Sequence, residues 1–282
     1  MEKEKLNFSQ LESFVHRILD DAQKISEKYF RKQFQQQKKA DLSPVTEADL
    51  AIEVFLREKL TKNYPNIGFW GEETKRKDEG QDFYWLVDPI DGTKSFMTGL
   101  PIFATLLALF YKEQPVFGVI ENPILKERWW AWNPKFLQKE GNFSFLSSFS
   151  SPVQNSKLLL LKNSKTLKEA TLASTTPFMF VDLPPHFLPR LNEKIFTWRW
   201  AGDAYNYALL VEGFLDAVVE AKMQFYDCGA LIPIVLAVGG CISDWEGQQI
   251  QPNFCGQVVA SANPALHQEL LLYLSLFAQK KI

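Results

Sequence analysis

Residues 85–93 read Trp85-Leu86-Val87-Asp88-Pro89-Ile90-Asp91-Gly92-Thr93. The run from Phe83 to Val87 has the composition of a buried strand, and a carboxylate following it sits where that strand emerges. Pro89 stiffens the turn and removes one N–H, while Gly92 allows a tight bend or close approach of a ligand. Asp88 and Asp91 can then converge on one point with the Thr93 hydroxyl beside them. Two anions held together are costly unless a cation neutralises them. Hard oxygen ligands without His or Cys point to Mg2+ rather than zinc. Asp-Pro and Asp-Gly are also ordinary turn residues, so the neighbouring sequence decides between turn and site.

Two further acidic clusters flank this one. Gly71-Glu72-Glu73 follows a strand-like run from Ile67 to Trp70, and Asp227 stands just before an apolar helix closed by Gly239-Gly240. Upstream, apolar residues from Leu11 to Tyr29 recur at helical spacing, predicting a helix over 9–30 with Ser9 and Glu12 as its capping box. Thr46 and Asp49 open a second helix that Tyr64-Pro65 stops. Strands are expected at Ile67 to Trp70, Phe83 to Val87, Ile102 to Tyr111, Val116 to Ile120 and Glu127 to Trp132, with a hairpin at Lys112-Glu113-Gln114. Asn133 to Ser156 carries little periodic signal and reads as irregular hairpins or loop.

The last 90 or so residues alternate in type. Strands are expected at Ile195 to Trp200, Leu215 to Glu220, Cys241 to Trp245 and Val258 to Ser261. Helices are expected at Asp203 to Glu212, Asp227 to Val238 and Pro264 to about Gln279. The fold class is therefore α/β, with an α+β N-terminal lobe over 1–155 and an α/β C-terminal lobe over 156–282. With no flexible linker visible, the two lobes form a single catalytic unit over 1–282.

Composition narrows the function classes. With 31 basic and 33 acidic residues the net charge is −2, and no Lys/Arg block marks a nucleic-acid binder. The start of the chain, Met1-Glu2-Lys3-Glu4-Lys5, lacks the apolar core of a signal peptide, and Ile102 to Phe110 is far too short to span a bilayer. A small diffusible partner and a cytoplasmic location are expected, with neither nucleic acid nor membrane involved. Cys228, Cys241 and Cys255 match no metal or redox spacing and read as buried, reduced thiols. His16, His186 and His267 lie away from the acidic clusters, so histidine chemistry is not expected.

At these motifs the sequence resembles the inositol monophosphatase superfamily, from about Asp41 to Ala262 and more weakly over Asn133 to Ser156. The most specific pieces are residues 85–93 and the Tyr226-Asp227 step before its apolar helix. Within the superfamily it is most similar to the histidinol-phosphate phosphatases. That likeness rests on Ser43-Pro44-Val45-Thr46-Glu47-Ala48-Asp49, Lys94 to Gly99, Thr175-Thr176-Pro177, Gly202 to Tyr207 and Ser243 to Gly247. Lys94 and the Trp85 segment also resemble 3′-phosphoadenosine 5′-phosphate phosphatases.

The resemblance implies a layered α-β-α-β-α sandwich and Mg2+-dependent hydrolysis of a small phosphomonoester by activated water, with two or three ions per site. It implies that Glu72, Asp88, Asp91, Asp227 and the Ile90 carbonyl are metal ligands. Glu72 and Thr93 would hold or deprotonate the attacking water. Gly92 and Thr93 would offer backbone N–H groups to the phosphate. Gly202, Asp203, Ala204, Glu220 and Asp227 would face the rest of the substrate. Histidinol phosphate is the expected substrate. An inositol monophosphatase, a sugar-phosphate or 3′-nucleotide phosphatase, and a catalytically idle metabolite-binding protein are the alternatives.

Ser43 stands where many inositol monophosphatases are acidic, so Asp41 becomes a candidate partner for Thr93, which stays open. The segment after Trp132 lacks the Asn-Gly hairpin common among relatives, a difference placed at an edge of the fold. A homodimer is the default for the family. The Trp129-Trp130-Ala131-Trp132 run reads as an edge strand or subunit contact before it reads as a stacking platform.

Overall fold

The computed structural model describes residues 7–32, 36–38, 44–74, 80–136, 165–252 and 254–278. Helix α1 (Phe8–Tyr29) buries Leu11, Val15, Ile18, Leu19 and Ala22 on one face. Its cap is Asn7, whose side-chain oxygen accepts from the Gln10 N–H at 3.1 Å. Ser9 lies inside the helix, so the expected capping box over Ser9 and Glu12 is corrected to a cap two residues earlier. The short strands β1 (Gln36–Lys38) and β2 (Pro44–Thr46) pair antiparallel and lead into α2 (Glu47–Asn63). That helix ends just before Tyr64-Pro65, as the proline requires.

The first sheet contains β3 (Gly68–Gly71), β4 (Phe83–Asp91), β5 (Ala104–Tyr111), β6 (Gln114–Asn122) and β7 (Glu127–Trp132), in that spatial order. A short helix, α3 (Thr93–Met97), connects β4 to β5. Only β3 and β4 run parallel. Side chains alternate across the sheet as the strand period demands. Trp85, Val87, Leu107, Leu109, Phe117 and Val119 pack under α1 and α2. Tyr84, Leu86, Leu106, Ala108, Phe110 and Ile120 face the opposite way, into the centre of the molecule.

The second sheet runs β11-β12-β10-β8-β9. Its strands are β8 (Thr171–Ser174), β9 (Thr197–Trp200), β10 (Ala217–Gln224), β11 (Cys241–Asp244) and β12 (Cys255–Ser261). Strand β8 is parallel to β9 and β10, whereas β12 is antiparallel to β10 and β11. The remaining α-helices among the described residues are α4 (Phe187–Asn192), α5 (Tyr205–Val211), α6 (Phe225–Gly229), α7 (Leu231–Ala237) and α8 (Pro264–Leu274). Val218, Val258 and Ala260 share the central core with α5, α6 and α7. Ala217, Val219 and Val259 point outward to α4 and α8. The result is the layered α-β-α-β-α arrangement that the resemblance implied: helices, sheet, helices, sheet, helices.

Three local expectations change. The helix expected over Asp227 to Val238 is two helices, α6 and α7, and the first begins at Phe225. Asp227 is therefore the third residue of α6 rather than its preface, and it caps the helix by accepting from the Gln224 N–H at 2.7 Å. Strand β8 and helix α4 went unanticipated, because four and six residues are too few for a periodic signal. Of the thiols only Cys228 is buried; Cys241 is half-buried and Cys255 exposed.

The tryptophan run forms β7 at the sheet edge, and all four of its residues are buried within this chain. Trp129 and Ala131 join the central core, while Trp130 and Trp132 join the core under α1. Most of the segment from Asn133 to Ser156 lies outside the described residues.

Small residues let the middle helical layer approach the first sheet, among them Gly118 and Gly229. A methyl group on Gly118 of β6 would stand 2.1 Å from the carbonyl oxygen of Ala230, at the junction of α6 and α7. Backbone cannot swing aside as a side chain can, so any larger residue forces the helices off the sheet. Gly118→Ala is expected to cost about 1–3 kcal/mol, the usual penalty for overpacking, and to lower turnover as well, because Asp227 rides on α6. Denaturant unfolding and a turnover assay check both; a variant as stable and active as the parent would show that the contact tolerates a methyl group.

Candidate active site

The site begins with the end of β4. Asp88 is paired with Leu106 and Asp91 with Ala104, so three steps along β4 match two along β5. One extra residue is thus inserted, a β-bulge. Without it, residues three apart would point to opposite faces of the sheet. With it, Asp88 and Asp91 come to the same side. Thr105 on β5 holds the bulge, its hydroxyl donating to the Pro89 carbonyl at 2.8 Å.

Asp227 arrives from the middle layer at the start of α6. One carboxylate oxygen from each of Asp88, Asp91 and Asp227 lies within 4.8 Å of the others. Glu72 adds a fourth acid. It follows β3, which runs parallel to β4 in the register Gly71 to Val87, and its N–H donates to the Val87 carbonyl at 3.0 Å. The Gly-Glu-Glu and Asp-Pro-Ile-Asp clusters are therefore neighbours because parallel strands end side by side.

Electrostatics match the crowding. Burial pushes the Asp88 carboxyl well above its usual range, and the nearby charges of Glu72, Asp91 and Asp227 push it further. Asp91 is raised in the same way by burial, then by Asp203 and Asp227, against one stabilising hydrogen bond from the Ala204 N–H at 2.5 Å. Asp88 Oδ1 is buried without a hydrogen-bond partner among the described residues. A buried carboxyl oxygen without a partner, on a residue clustered with two more carboxylates, fits a divalent cation.

Gly92 follows with φ +88°, a left-handed turn that leads into α3. A methyl group there would also meet Asp203 Oδ2 at 2.8 Å. Asp203 is tied to α3 by Ser95, whose hydroxyl donates to the same oxygen at 2.8 Å. The Gly202-Asp203-Ala204 turn is thereby locked to both Asp91 and α3. Thr93 donates its hydroxyl proton to the Ile90 carbonyl at 3.2 Å. Asp41, the candidate partner of Thr93, lies outside the described residues.

A cleft of about 340 Å³ opens beside the acid cluster, reaching Glu72. Glu72, Gly92, Thr93 and Lys94 line it from the first sheet, with Asp203 beside them. The second sheet contributes Thr175, Thr176, Phe178, Met179 and Lys222. Glu220 is almost fully buried at 1 % exposure. Its Oε1 accepts from the Thr175 N–H at 3.0 Å and the Thr175 hydroxyl at 2.7 Å, and Tyr207 donates to Oε2 at 3.4 Å. Burial pushes Glu220 up to about 7 against those hydrogen bonds. The cleft wall at this point is formed by Thr175, with Glu220 holding it.

Sequence reading did not anticipate Glu53. From α2 it accepts from the Glu73 N–H at 2.7 Å and from the Thr74 hydroxyl, and it pairs with Arg57 at 3.7 Å. It therefore braces the turn that carries Glu72. The Glu53–Arg57 spacing of four looks like a solvated surface pair, and nothing local signals that Glu53 is fully buried. The histidines stay out of the site. His16 sits under Arg128 and Trp130, burial holding it down to about 3 with help from Arg128, and His267 lies between Ser243 and Ser261.

A model of the inositol monophosphatase family matches residues 8–277. The chain belongs to the inositol monophosphatase family. It is 35% identical over 281 residues to the bifunctional phosphatase IMPL2, chloroplastic, of Arabidopsis thaliana, covering 95% of this chain and 76% of that protein. It is 33% identical over 256 residues to a histidinol-phosphatase of Chlorobaculum parvum, covering 90% and 92%. Among solved structures, an inositol monophosphatase from Zymomonas mobilis superposes with a TM-score of 0.79 at 32% identity, covering 95% of this chain and 99% of that one. The inositol monophosphatase family is metal-dependent, and this member is a phosphoric monoester hydrolase. No helix among its described residues is long and apolar enough to cross a membrane.

The raised carboxyl groups have a consequence for stability. Folded Asp88 keeps its proton to higher pH than the unfolded side chain, whose pKa is near 3.9. Without a divalent cation, its contribution to stability is greatest below that value and is lost as pH climbs through the folded one. Asp88→Asn removes the charge and should raise the metal-free melting temperature at pH 8 by at least about 2 °C, and by less at pH 5. It should also blunt the rise in melting temperature that Mg2+ gives the parent. Thermal melts at the two pH values, with and without Mg2+, test this; a variant that melts lower at pH 8 without metal would contradict the assigned repulsion.

Proposed function

We propose that this phosphatase hydrolyses histidinol phosphate to histidinol and phosphate, with Mg2+ held by Glu72, Asp88, Asp91, Asp227 and the Ile90 carbonyl. The observation that carries the metal assignment is the orphaned Asp88 Oδ1, in a set of carboxylates whose oxygens lie within 4.8 Å of one another. The donor set is all oxygen, which favours Mg2+, and its breadth suits two or three ions. Support for the substrate comes from relatives at 32–33% identity named histidinol-phosphatase, matched over 84–90% of this chain. Acids from residues 72 to 91 and from residue 227 meet at one point, which supports a single catalytic unit built from lobes over 1–155 and 156–282. A cytoplasmic homodimer is the working form.

When bound, the ions neutralise the carboxylates, lower the pKa of a water and stabilise charge on the departing oxygen. The chain's own residues do the positioning. The Thr93 hydroxyl donates its hydrogen bond to the Ile90 carbonyl, so its oxygen is left to accept from a water. Glu72 accepts a hydrogen bond from the second O–H of that water and can take its proton as the new P–O bond forms and the bond to the alcohol oxygen breaks, the departing oxygen taking a proton from solvent in the cleft. The water's free lone pair is then aimed at phosphorus. Gly92 and Thr93 present backbone N–H groups to the phosphate oxygens. Gly202, Asp203 and Ala204 border the leaving alcohol, and Glu220 acts through the Thr175 wall. Breaking the ester bond asks little covalent chemistry of the protein, so orientation and electrostatics supply most of the acceleration.

A second reading, hydrolysis of inositol 1-phosphate, is favoured by the Zymomonas mobilis likeness and by an inositol-1-monophosphatase of Caulobacter vibrioides at 32% identity. Phosphate release measured side by side with Mg2+ decides between them. The expected result is a clearly higher kcat/KM for histidinol phosphate; a preference for inositol 1-phosphate overturns the assignment. Asp91→Asn should reduce kcat on the order of a thousandfold or more on either substrate. Near-normal turnover in that variant would remove Asp91 from the metal set.

A further inference from the structure

The turn Pro177–Phe180 follows β8 and forms part of the cleft on the side of the second sheet. Both of its flanks contact β10, one through a buried carboxylate and the other through an exposed ion pair. Thr175 is bound to Glu220, and Asp182, just beyond the turn, pairs with Lys222 at 2.7 Å. Lys222 stands in a bulge of β10 at φ +61°. Within the turn, Thr176 accepts from the Phe178 N–H at 3.4 Å through its hydroxyl and from the Met179 N–H at 3.2 Å through its carbonyl. Phe180 anchors the segment in the core, its ring 5.3 Å from Phe187 and 6.1 Å from Trp245.

Two residues from that buried anchor, Phe178 is 75 % exposed and lines the cleft with Thr93 and Asp203. A large apolar ring exposed on this turn, at the mouth of a reaction cleft, is placed to cover something flat. A saturated polyol offers it no π-face, whereas an aromatic ring does. A protonated ring would gain a further cation–π attraction.

We propose that Phe178 determines specificity by stacking on a flat unsaturated ring carried by the leaving alcohol, selecting ring-bearing phosphomonoesters over polyol phosphates. This rests on the phosphatase assignment and deepens the histidinol phosphate reading, because an imidazole is such a ring. Phe178 takes no part in bond breaking, so its effect belongs in KM.

The test compares the parent, Phe178→Ala and Phe178→Tyr, each with Mg2+, on two series. Histidinol phosphate, benzyl phosphate and 3′-AMP carry a flat ring; inositol 1-phosphate and glycerol 2-phosphate do not. Phe178→Ala should raise KM across the ring series on the order of tenfold, hold kcat within about twofold and leave the second series unchanged. Phe178→Tyr should restore the parent values. Equal changes in both series, or none in either, overturn the proposal. Should the parent ignore histidinol phosphate, that substrate assignment fails by itself, and the benzyl phosphate and 3′-AMP comparison still decides the role of Phe178. A parent that turns over only the second series overturns both.

Discussion

Carboxylates packed as closely as Asp88, Asp91 and Asp227 repel one another, and most of the local structure follows from holding them together anyway. Each is restrained from a different direction. The β4 bulge, pinned by Thr105, fixes Asp88 and Asp91 from the first sheet. The Gly202–Ala204 turn donates an N–H to Asp91. The α6 cap holds Asp227. These restraints keep the acids together although burial and mutual repulsion disfavour their charged forms, leaving a local demand for positive charge. A fully paired set of acids would bind a cation only by giving up its partners. This set keeps Asp88 Oδ1 without one among the described residues.

The same demand explains the layering around the site. Asp227 must come from an element that crosses the central layer, and Gly118 lets α6 and α7 approach the first sheet closely enough for that. Glu72 must come from a strand parallel to β4, since an antiparallel neighbour would deliver its following residue at the far end of the sheet. The single parallel pairing in an otherwise antiparallel sheet occurs where it brings the two acidic turns to the same edge.

Much of this was legible in the sequence, for physical reasons. Acids that follow apolar runs announce strand ends, and those at 72 and 88 needed only a parallel pairing to meet. The pattern of two helices, an early group of strands and a later alternation gave the α/β class, and the resemblance supplied the five layers. Other features were hidden because their signal is not local. The cap at Asn7 competes with an equally good motif at Ser9, and only packing of the helix face chooses between them. The start of α6 at Phe225 rather than Asp227 depends on the Gln224 cap. Glu53 carries no sign of burial, since an i,i+4 acid-base pair is written identically whether it faces water or the underside of a turn. Strand β8 is too short for any period to show, yet it carries Thr175 into the cleft.

The division between the two sheets bears on how one chemistry serves different alcohols. Residues that would handle the phosphate and the water all come from the first sheet and its α3 turn, and their geometry is set by backbone: a bulge, a left-handed glycine, a parallel register. Changing any one of them disturbs the rest. The opposite wall comes from the second sheet and is set by side chains: Thr175 on Glu220, Lys222 on Asp182, Phe178 on the surface of a turn. Side chains there can be exchanged without moving the strands that carry them, because the turn is held from behind by Phe180. Substrate choice can therefore drift across that wall while the acid cluster stays fixed. A cleft whose two sides are held by different means is one in which reaction and recognition are free to change separately.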